Sequence, residues 1–320
     1  MTKTIFVLVT ILYVISCKPT QQVQIADIKD TIISDVEVTS LIDTLSSDFY
    51  EGRGFGTIGI EKAAVYIENY LRTLKIKPFF ESYRDSFEVR NLIGYNIIGL
   101  IEGSDPNLNK EFVILSAHYD HVGKTKNEKD SIRNGANDNA SGVSTVLNIA
   151  KLLVDNKLNK RSVIVALYSG EEIGLTGSEH FANKISDRAS EMYCNINIDM
   201  IGSILTEKPE KVYISGEERS NMREVYNKYI GNEALTSFKS NGFFDIFRLS
   251  DNFPIYERLN IPAHTFCTFD FKNYVHYHKP SDEIQNLDLE NTVIIVRNIA
   301  KGFIGIVNSP TKEVQLVDEQ

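Results

Sequence analysis

Cysteine is scarce, with 3 in 320 residues, and so is proline, with 8. Three cysteines exclude a disulfide-stapled scaffold, and a chain of this length can bury enough apolar surface to fold without staples. The low proline count beside 42% hydrophobic residues excludes disorder as the main state. Positive charge is also short: 34 Lys and Arg face 43 Asp and Glu, for a net charge of −9 and a sequence pI near 5.3. No basic surface is available for counterion release from a nucleic-acid backbone, so nucleic acid is excluded as a partner. Beyond Gln22 there is no repeat, low-complexity tract or Pro/Ser-rich linker, which predicts a single globular unit.

The amino end is of a different kind. Lys3 precedes an apolar run from Ile5 to Ile15, followed by Ser16 and Cys17. A run this short cannot span a bilayer core, which needs ~20 residues. A basic start, a short apolar stretch and a small residue before the cut predict a secretory signal over residues 1–16. The ending V-I-S-C resembles a bacterial lipoprotein signal, which implies lipid on Cys17 and a protein held at the cell envelope, facing the periplasm or the cell surface. Residues 17–40 then read as a tether and the start of the N-terminal segment, 41–310 as one domain, and 311–320 as a tail. Removing 1–16 takes away only Lys3 among the charged residues, so the remainder stays acidic. Cys194 and Cys267 fall in predicted strands, either as buried thiols or as a pair.

Hydrophobic periodicity predicts a mixed α/β fold. Ala64, Ile67, Tyr70, Leu71 and Leu74 recur at helical steps within Glu61 to Lys75. Glycines 52, 54, 56 and 59 precede that helix without a strand before them, so they read as a turn rather than a phosphate loop. Strand-like runs occur at Asn96 to Leu100, Phe112 to Ala117, Ser162 to Tyr168, Tyr193 to Ile198, Val212 to Ser215 and Ile261 to Phe269. Helical patterns at Asn139 to Val154 and Leu289 to Ile306 join the alternation. The expected architecture is a largely parallel central sheet with helices on both faces, in three layers. In such sheets ligands bind beyond the carboxyl ends of the strands.

Chemistry-bearing residues gather at those ends. H-Y-D-H puts His118 and Asp120 on one side of an extended chain directly after a strand. A histidine there can bind a metal while a carboxylate accepts the proton of its other ring nitrogen. Asp138 stands at the mouth of a helix in N-G-A-N-D-N-A-S-G, Glu171 and Glu172 follow a strand in S-G-E-E, and Asp199 follows another in N-I-D-M-I-G. His276 and His278 precede Asp282 in V-H-Y-H-K-P-S-D-E. Each site alone has a plain structural explanation, as a helix cap, a solvated loop or a surface histidine. Together they fit a metal site. With His118, Asp138, Glu172, Asp199 and His278 as ligands, three carboxylates and one hydroxide balance two Zn²⁺, and two metals can share a bridging carboxylate and water. Glu171 is then left free of the metals, as a general base requires.

This string of motifs resembles the zinc aminopeptidase family typified by bacterial leucyl aminopeptidases, whose relatives include glutamate carboxypeptidase, transferrin receptor and glutaminyl cyclase. The likeness runs from about Leu41 to Phe303 and includes E-G-R-G-F-G-T-I-G, S-A-H-Y-D-H-V-G, G-A-N-D-N-A-S-G, S-G-E-E-I-G-L-T-G-S, N-I-D-M-I-G, L-S-D-N-F-P and Y-H-K-P-S-D-E. It implies two Zn²⁺ per chain, one on His118 and Asp199, the other on Glu172 and His278, with Asp138 bridging. Glu171 corresponds to the general base and Asp120 to the residue orienting His118. It also implies a cis peptide bond between Asp138 and Asn139. One departure is Asn252, where relatives commonly carry histidine; that position is expected near the substrate. Too few residues separate Tyr70 from His118 for the protease-associated domain that many relatives insert.

The implied reaction is hydrolysis of N-terminal peptide bonds by a metal-bound hydroxide, with peptides bearing a free N-terminus as substrates. Tyr274 and Tyr277 are candidate oxyanion donors, while His121, His276, His180 and His264 carry no site argument. Two alternatives are a single-zinc glutaminyl cyclase and an inactive receptor-like binding module. Oligomeric state is not legible in the sequence.

Overall fold

The computed structural model describes residues 33–126, 129–238 and 245–317. The signal, Cys17 and most of the tether lie outside the described residues. Among the described residues no helix is long and apolar enough to cross a membrane.

Among the described residues nine strands form one sheet: β1 (Lys77–Pro78), β2 (Arg84–Val89), β3 (Leu92–Ile101), β4 (Phe112–His118), β5 (Ser162–Tyr168), β6 (Met192–Ile198), β7 (Val212–Ile214), β8 (Leu235–Thr236) and β9 (Ala263–Cys267). Their order is β1-β3-β5-β4-β6-β9-β7-β8, with β2 also paired to β3. The centre, β5-β4-β6-β9, is parallel. The flanks are antiparallel where β1, β2 and β5 meet β3 and where β7 meets β9. Every residue of β4, β5 and β6 is buried, which is why these strands are near-continuous apolar runs.

Seven α-helices among the described residues cover the sheet: α1 (Asp35–Leu45), α2 (Ile58–Thr73), α3 (Ser141–Asn156), α4 (Thr176–Lys184), α5 (Met222–Ile230), α6 (Asn252–Leu259) and α7 (Leu289–Asn308). Side chains alternate across the pleat. Val113, Leu115 and Ala117 of β4 join the core formed with α1, α2, α3, α5 and α7, whereas Phe112 and Ile114 join the core formed with α4 and α6. The expected three-layer α/β architecture is the one found. The packed unit is wider than residues 41–310, because Val38 in α1 and Val314 beyond α7 are both buried in the larger core.

The connection from β4 through α3 leads to β5 on one side, and the connection from β5 through α4 returns across β4 to β6. Since α3 and α4 lie on opposite faces, β4 is a topological switch point, where a crevice opens at the carboxyl ends of the strands.

Candidate metal centre

His118 is the last residue of β4, and Glu171 and Glu172 follow β5 on one side of it, while Asp199 follows β6 on the other. Neighbouring strands lie ≈ 4.8 Å apart, so three consecutive strand ends deliver their side chains to one small region. Asp138 comes from the loop before α3 and His278 from the segment after β9. All five expected metal ligands and the expected base therefore converge.

The loop carrying Asp138 is held from three directions. Gly135 has φ +60°, and a Cβ there would lie 2.1 Å from the Asp138 carbonyl oxygen, so only glycine fits. Arg53, fully buried, donates from Nη1 to the carbonyls of Leu45 and Asn134 (2.6 Å each), from Nη2 to Gly135 (2.8 Å) and Asp138 (3.3 Å), and from Nε to Tyr119 (2.9 Å). Asp282 accepts from the backbone N–H of Asn137 (2.8 Å) and of Asp138 (3.1 Å). The Asp138–Asn139 peptide bond is cis, as the resemblance implied. Asn139 then braces the end of β6, donating to the Ile198 carbonyl (2.9 Å) and accepting from the N–H of Met200 (3.1 Å).

The donor atoms form two groups that share Asp138. On one side His118 Nε2 lies 3.5 Å from Asp138 Oδ1 and 3.4 Å from Asp199 Oδ1. On the other, His278 Nε2 lies 3.2 Å from Asp138 Oδ2 and 3.1 Å from Glu172 Oε2. His121, read from the sequence as a mere neighbour, is buried in this second group, with Nδ1 2.8 Å from Glu172 Oε1 and 3.5 Å from Asp138 Oδ2. The residues form the sets His121, Asp138, Glu172, His278 and His118, Glu171, Asp199, each with donor atoms within 4.8 Å of one another. Tetrahedral zinc with ligands at 2.0–2.1 Å places its donors about 3.3–3.4 Å apart, so these separations suit such an ion. Asp199 Oδ1 and His278 Nε2 are buried and make no hydrogen bond, although each faces another donor. Converging lone pairs of this kind fit a cation.

The electrostatics agree. Burial raises the Asp138 carboxyl, with Glu172 adding to the shift. Burial also works to raise Glu172, but His121 and His278 outweigh it and hold that carboxyl below the usual range. Burial opposes the charged form of His278, yet Asp138 and Glu172 carry its imidazole up to about 10. The crevice is a field that favours positive charge. Glu171, pushed well above the usual carboxylate range by burial, groups with His118 and Asp199 only.

Asp120 has a further role beside the expected one. Its carboxylate accepts from the backbone N–H of Glu171 (3.2 Å) and of Glu172 (3.3 Å). His118 Nδ1 lies 3.1 Å from the Asp120 carbonyl oxygen and 3.6 Å from its carboxylate. Asp120 thus faces the His118 ring with both its carbonyl and its carboxylate, and the same carboxylate positions the two glutamates. Asp199 is oriented by Ser250, which donates to Oδ2 (2.8 Å) and itself accepts from Asn197 (3.0 Å).

Two further expectations change. Asn252 does not border the crevice; it is buried under α6, accepting from Thr265 (2.7 Å) and donating to the Phe247 carbonyl (3.2 Å). The Tyr274 hydroxyl is occupied, donating to Asp282 Oδ1 (2.6 Å), so it is not an oxyanion donor. Tyr277 does line the cavity, its ring stacked on His278 at 3.9 Å. Cys194 and Cys267 are buried free thiols. His264 is buried in β9 between Ser220 and the Ser215 carbonyl, His180 contacts Asp85, and His276 contacts Ser281.

A cavity of about 90 Å³ opens at the centre itself, lined by donors of both groups and walled by Ile246, Leu249, Cys267, Phe269 and Phe271. A wider groove of about 520 Å³ lies beside it, bordered by His121, Phe55, Leu92 and Lys124. Glu172 borders both.

Comparison with known proteins gives the same direction. Aminopeptidase YwaD of Bacillus subtilis (strain 168) is 27% identical over 247 residues, 74% of this chain and 48% of that protein. Leucine aminopeptidase 2 of Trichophyton rubrum is 35% identical over 114 residues, 35% of this chain and 21% of that protein. The chain thus spans half or less of these relatives' length. In fold it is similar to BSAP, a zinc aminopeptidase from Bacillus subtilis (TM-score 0.70, 16% identity, 86% of this chain and 96% of that one). It is similar also to Porphyromonas gingivalis glutaminyl cyclase (TM-score 0.66, 16% identity, 84% and 97%). The model for peptidase family M28 matches residues 96–302, which contain every donor described above, and the chain belongs to that family.

Proposed function

We propose that the protein is a two-zinc aminopeptidase that removes N-terminal residues from peptides. The observation that carries this reading is the Asp138 carboxylate, whose Oδ1 faces His118 and whose Oδ2 faces His278, so that one side chain serves two donor groups. His118 and Asp199 would hold one metal, Glu172 and His278 the other. Zinc bound there supplies Lewis acidity to a peptide carbonyl and acidifies a bound water.

The remaining work falls to the chain itself. Glu171 takes the proton of the attacking water and delivers it to the departing amine; its raised pKa suits a group that must both accept and release. The backbone N–H of Glu171 is tethered to Asp120, which keeps the base at the rim of the donor set. The small apolar cavity suits one N-terminal side chain, and the wide groove has room for the rest of the peptide.

Metal analysis combined with leucyl, glutaminyl and acidic C-terminal peptide substrates tests the reading. Two zinc ions per chain and release of N-terminal residues are expected. One metal with cyclisation of N-terminal glutamine would replace it with a glutaminyl cyclase, and no turnover in the zinc-loaded protein would replace it with a binding module.

We also propose, from the sequence alone, that the protein is exported and anchored in a bacterial envelope by lipid on Cys17. Cys17→Ser should move it from the detergent phase to the aqueous phase on partitioning; an unchanged distribution would remove the anchor.

A further inference from the structure

We propose that His121 Nδ1 is a fourth protein donor to the metal held by Glu172, His278 and Asp138, which makes the two metal sites unequal. The proposal rests on the two-metal reading above and assigns a ligand beyond the five that reading uses.

His121 is placed as firmly as the other ligands. Its backbone N–H donates to the Arg53 carbonyl (3.2 Å), and its chain bridges to Gly54 beside β4. The ring is fully buried and meets His278 edge-on, with centroids 5.6 Å apart. It also abuts Gly135, where a Cβ would come within 2.7 Å of His121 Cδ2. Held so, Nδ1 faces both carboxylates of the second group. Its separations of 2.8 and 3.5 Å from Glu172 Oε1 and Asp138 Oδ2 bracket those of His278 Nε2 from the same two side chains, 3.1 and 3.2 Å. Both imidazoles therefore stand as corners of one polyhedron. His121 Nε2 is buried without a hydrogen-bond partner among the described residues, so nothing behind the ring dictates which nitrogen carries the proton. That choice belongs to what faces Nδ1, and a cation there takes the lone pair.

The two groups then differ in kind. Four side chains group at Glu172, as in structural zinc sites, whereas the other group, with Glu171 kept as the base, has only His118 and Asp199 beside the shared Asp138, as in catalytic ones. The expected consequence is stepwise metal loss, with the His118 site emptying first.

The test is metal analysis of the full chain during graded chelation, for wild type, His121→Ala and His121→Asn, with X-ray absorption counting imidazoles. Asparagine keeps an N–H near the Nδ1 position that can donate to Glu172, but it is a poor zinc donor. Wild type should bind two metals sharing three imidazoles and release them in two steps. Both variants should lose roughly a hundredfold or more in affinity at the tighter site, beyond the 10–100-fold typical of an outer hydrogen-bond partner, and should show two imidazoles. Two metals with an unchanged release profile in His121→Ala, or rescue by His121→Asn, would overturn the role of His121 and leave the two-metal reading standing. Fewer than two metals in wild type would overturn that reading itself.

Discussion

Asp282 grips the backbone on which Asp138 is carried, its two carboxylate oxygens each accepting one of the successive N–H groups of Asn137 and Asp138, while Tyr274 donates to the same carboxylate. Asp282 is fully buried and contributes no donor of its own to the centre, so its effect on metal binding runs through Asp138. Asp282→Ala should lower zinc affinity about 10–100-fold and destabilise the fold by about 1–3 kcal/mol, since two buried N–H groups lose their acceptor. Zinc titration and urea unfolding measure the two effects. Tyr274→Phe, which removes one hydrogen bond, should cost only about 1 kcal/mol and leave metal content unchanged.

In the proposed two-metal mechanism Glu171 and Asp138 divide the chemistry. Glu171→Gln should lower turnover by about 10²–10⁴-fold, the range of general-base catalysis, while zinc content stays near wild type. Asp138→Ala should lower both, because both donor groups lose a member. Metal analysis alongside kcat reads the difference; equal metal loss in the two variants would end the division of labour between ligand and base.

Removing metal should also destabilise the protein. Asp138, Glu171, Glu172 and Asp199 crowd one region, and a cation offsets their mutual repulsion. At free zinc 100-fold above Kd, ligand linkage adds about 2.7 kcal/mol per site. Thermal melts with and without chelator should show a zinc-dependent rise in Tm, and a Tm indifferent to chelation would contradict it.

His264 gives a pH dependence unrelated to the centre. Burial lowers its pKa to about 4, against an ordinary value of 6.5. The unfolded chain therefore binds a proton that the folded chain refuses between those values, so stability is full above pH 6.5 and falls as pH drops toward 4. The loss is about 3 kcal/mol at 1.36 kcal/mol per unit. In chelator, His264→Gln should be less stable than wild type at pH 7, and that deficit should shrink by about 2–3 kcal/mol by pH 4. A constant deficit in urea melts would show that His264 does not titrate this way.

The sheet centre was legible because buried parallel strands must be continuous apolar runs, and β4, β5 and β6 end where polar motifs begin. His118, Glu171, Glu172 and Asp199 stood out for the same reason, whereas Asp138 and His278 lie on loops away from those strand ends and stood out by their motifs. The β2–β3 hairpin was not: its two-residue turn is Arg90–Asn91, both at positive φ, without the glycine that marks such turns. Arg53 was hidden among glycines that read as a turn, although an arginine inside E-G-R-G was the available signal. His121 shares its motif with His118 and Asp120, and only the fold shows that the chain turns its ring toward Glu172 rather than away. Asn252 was misplaced because its position was carried over from relatives that have histidine there, and that says nothing about which way the start of a helix faces in this chain.

One nitrogen of Arg53 binds the carbonyl of Leu45 at the end of α1 and the carbonyl of Asn134 in the loop that carries Asp138. The first helix, packed in the larger core through Val38, Leu41, Ile42 and Leu45, is thereby also tied to the loop that carries Asp138. Trimming the amino end into α1 would free that anchor point, and the damage would register at the Asp138 carboxylate, far along the chain from the cut.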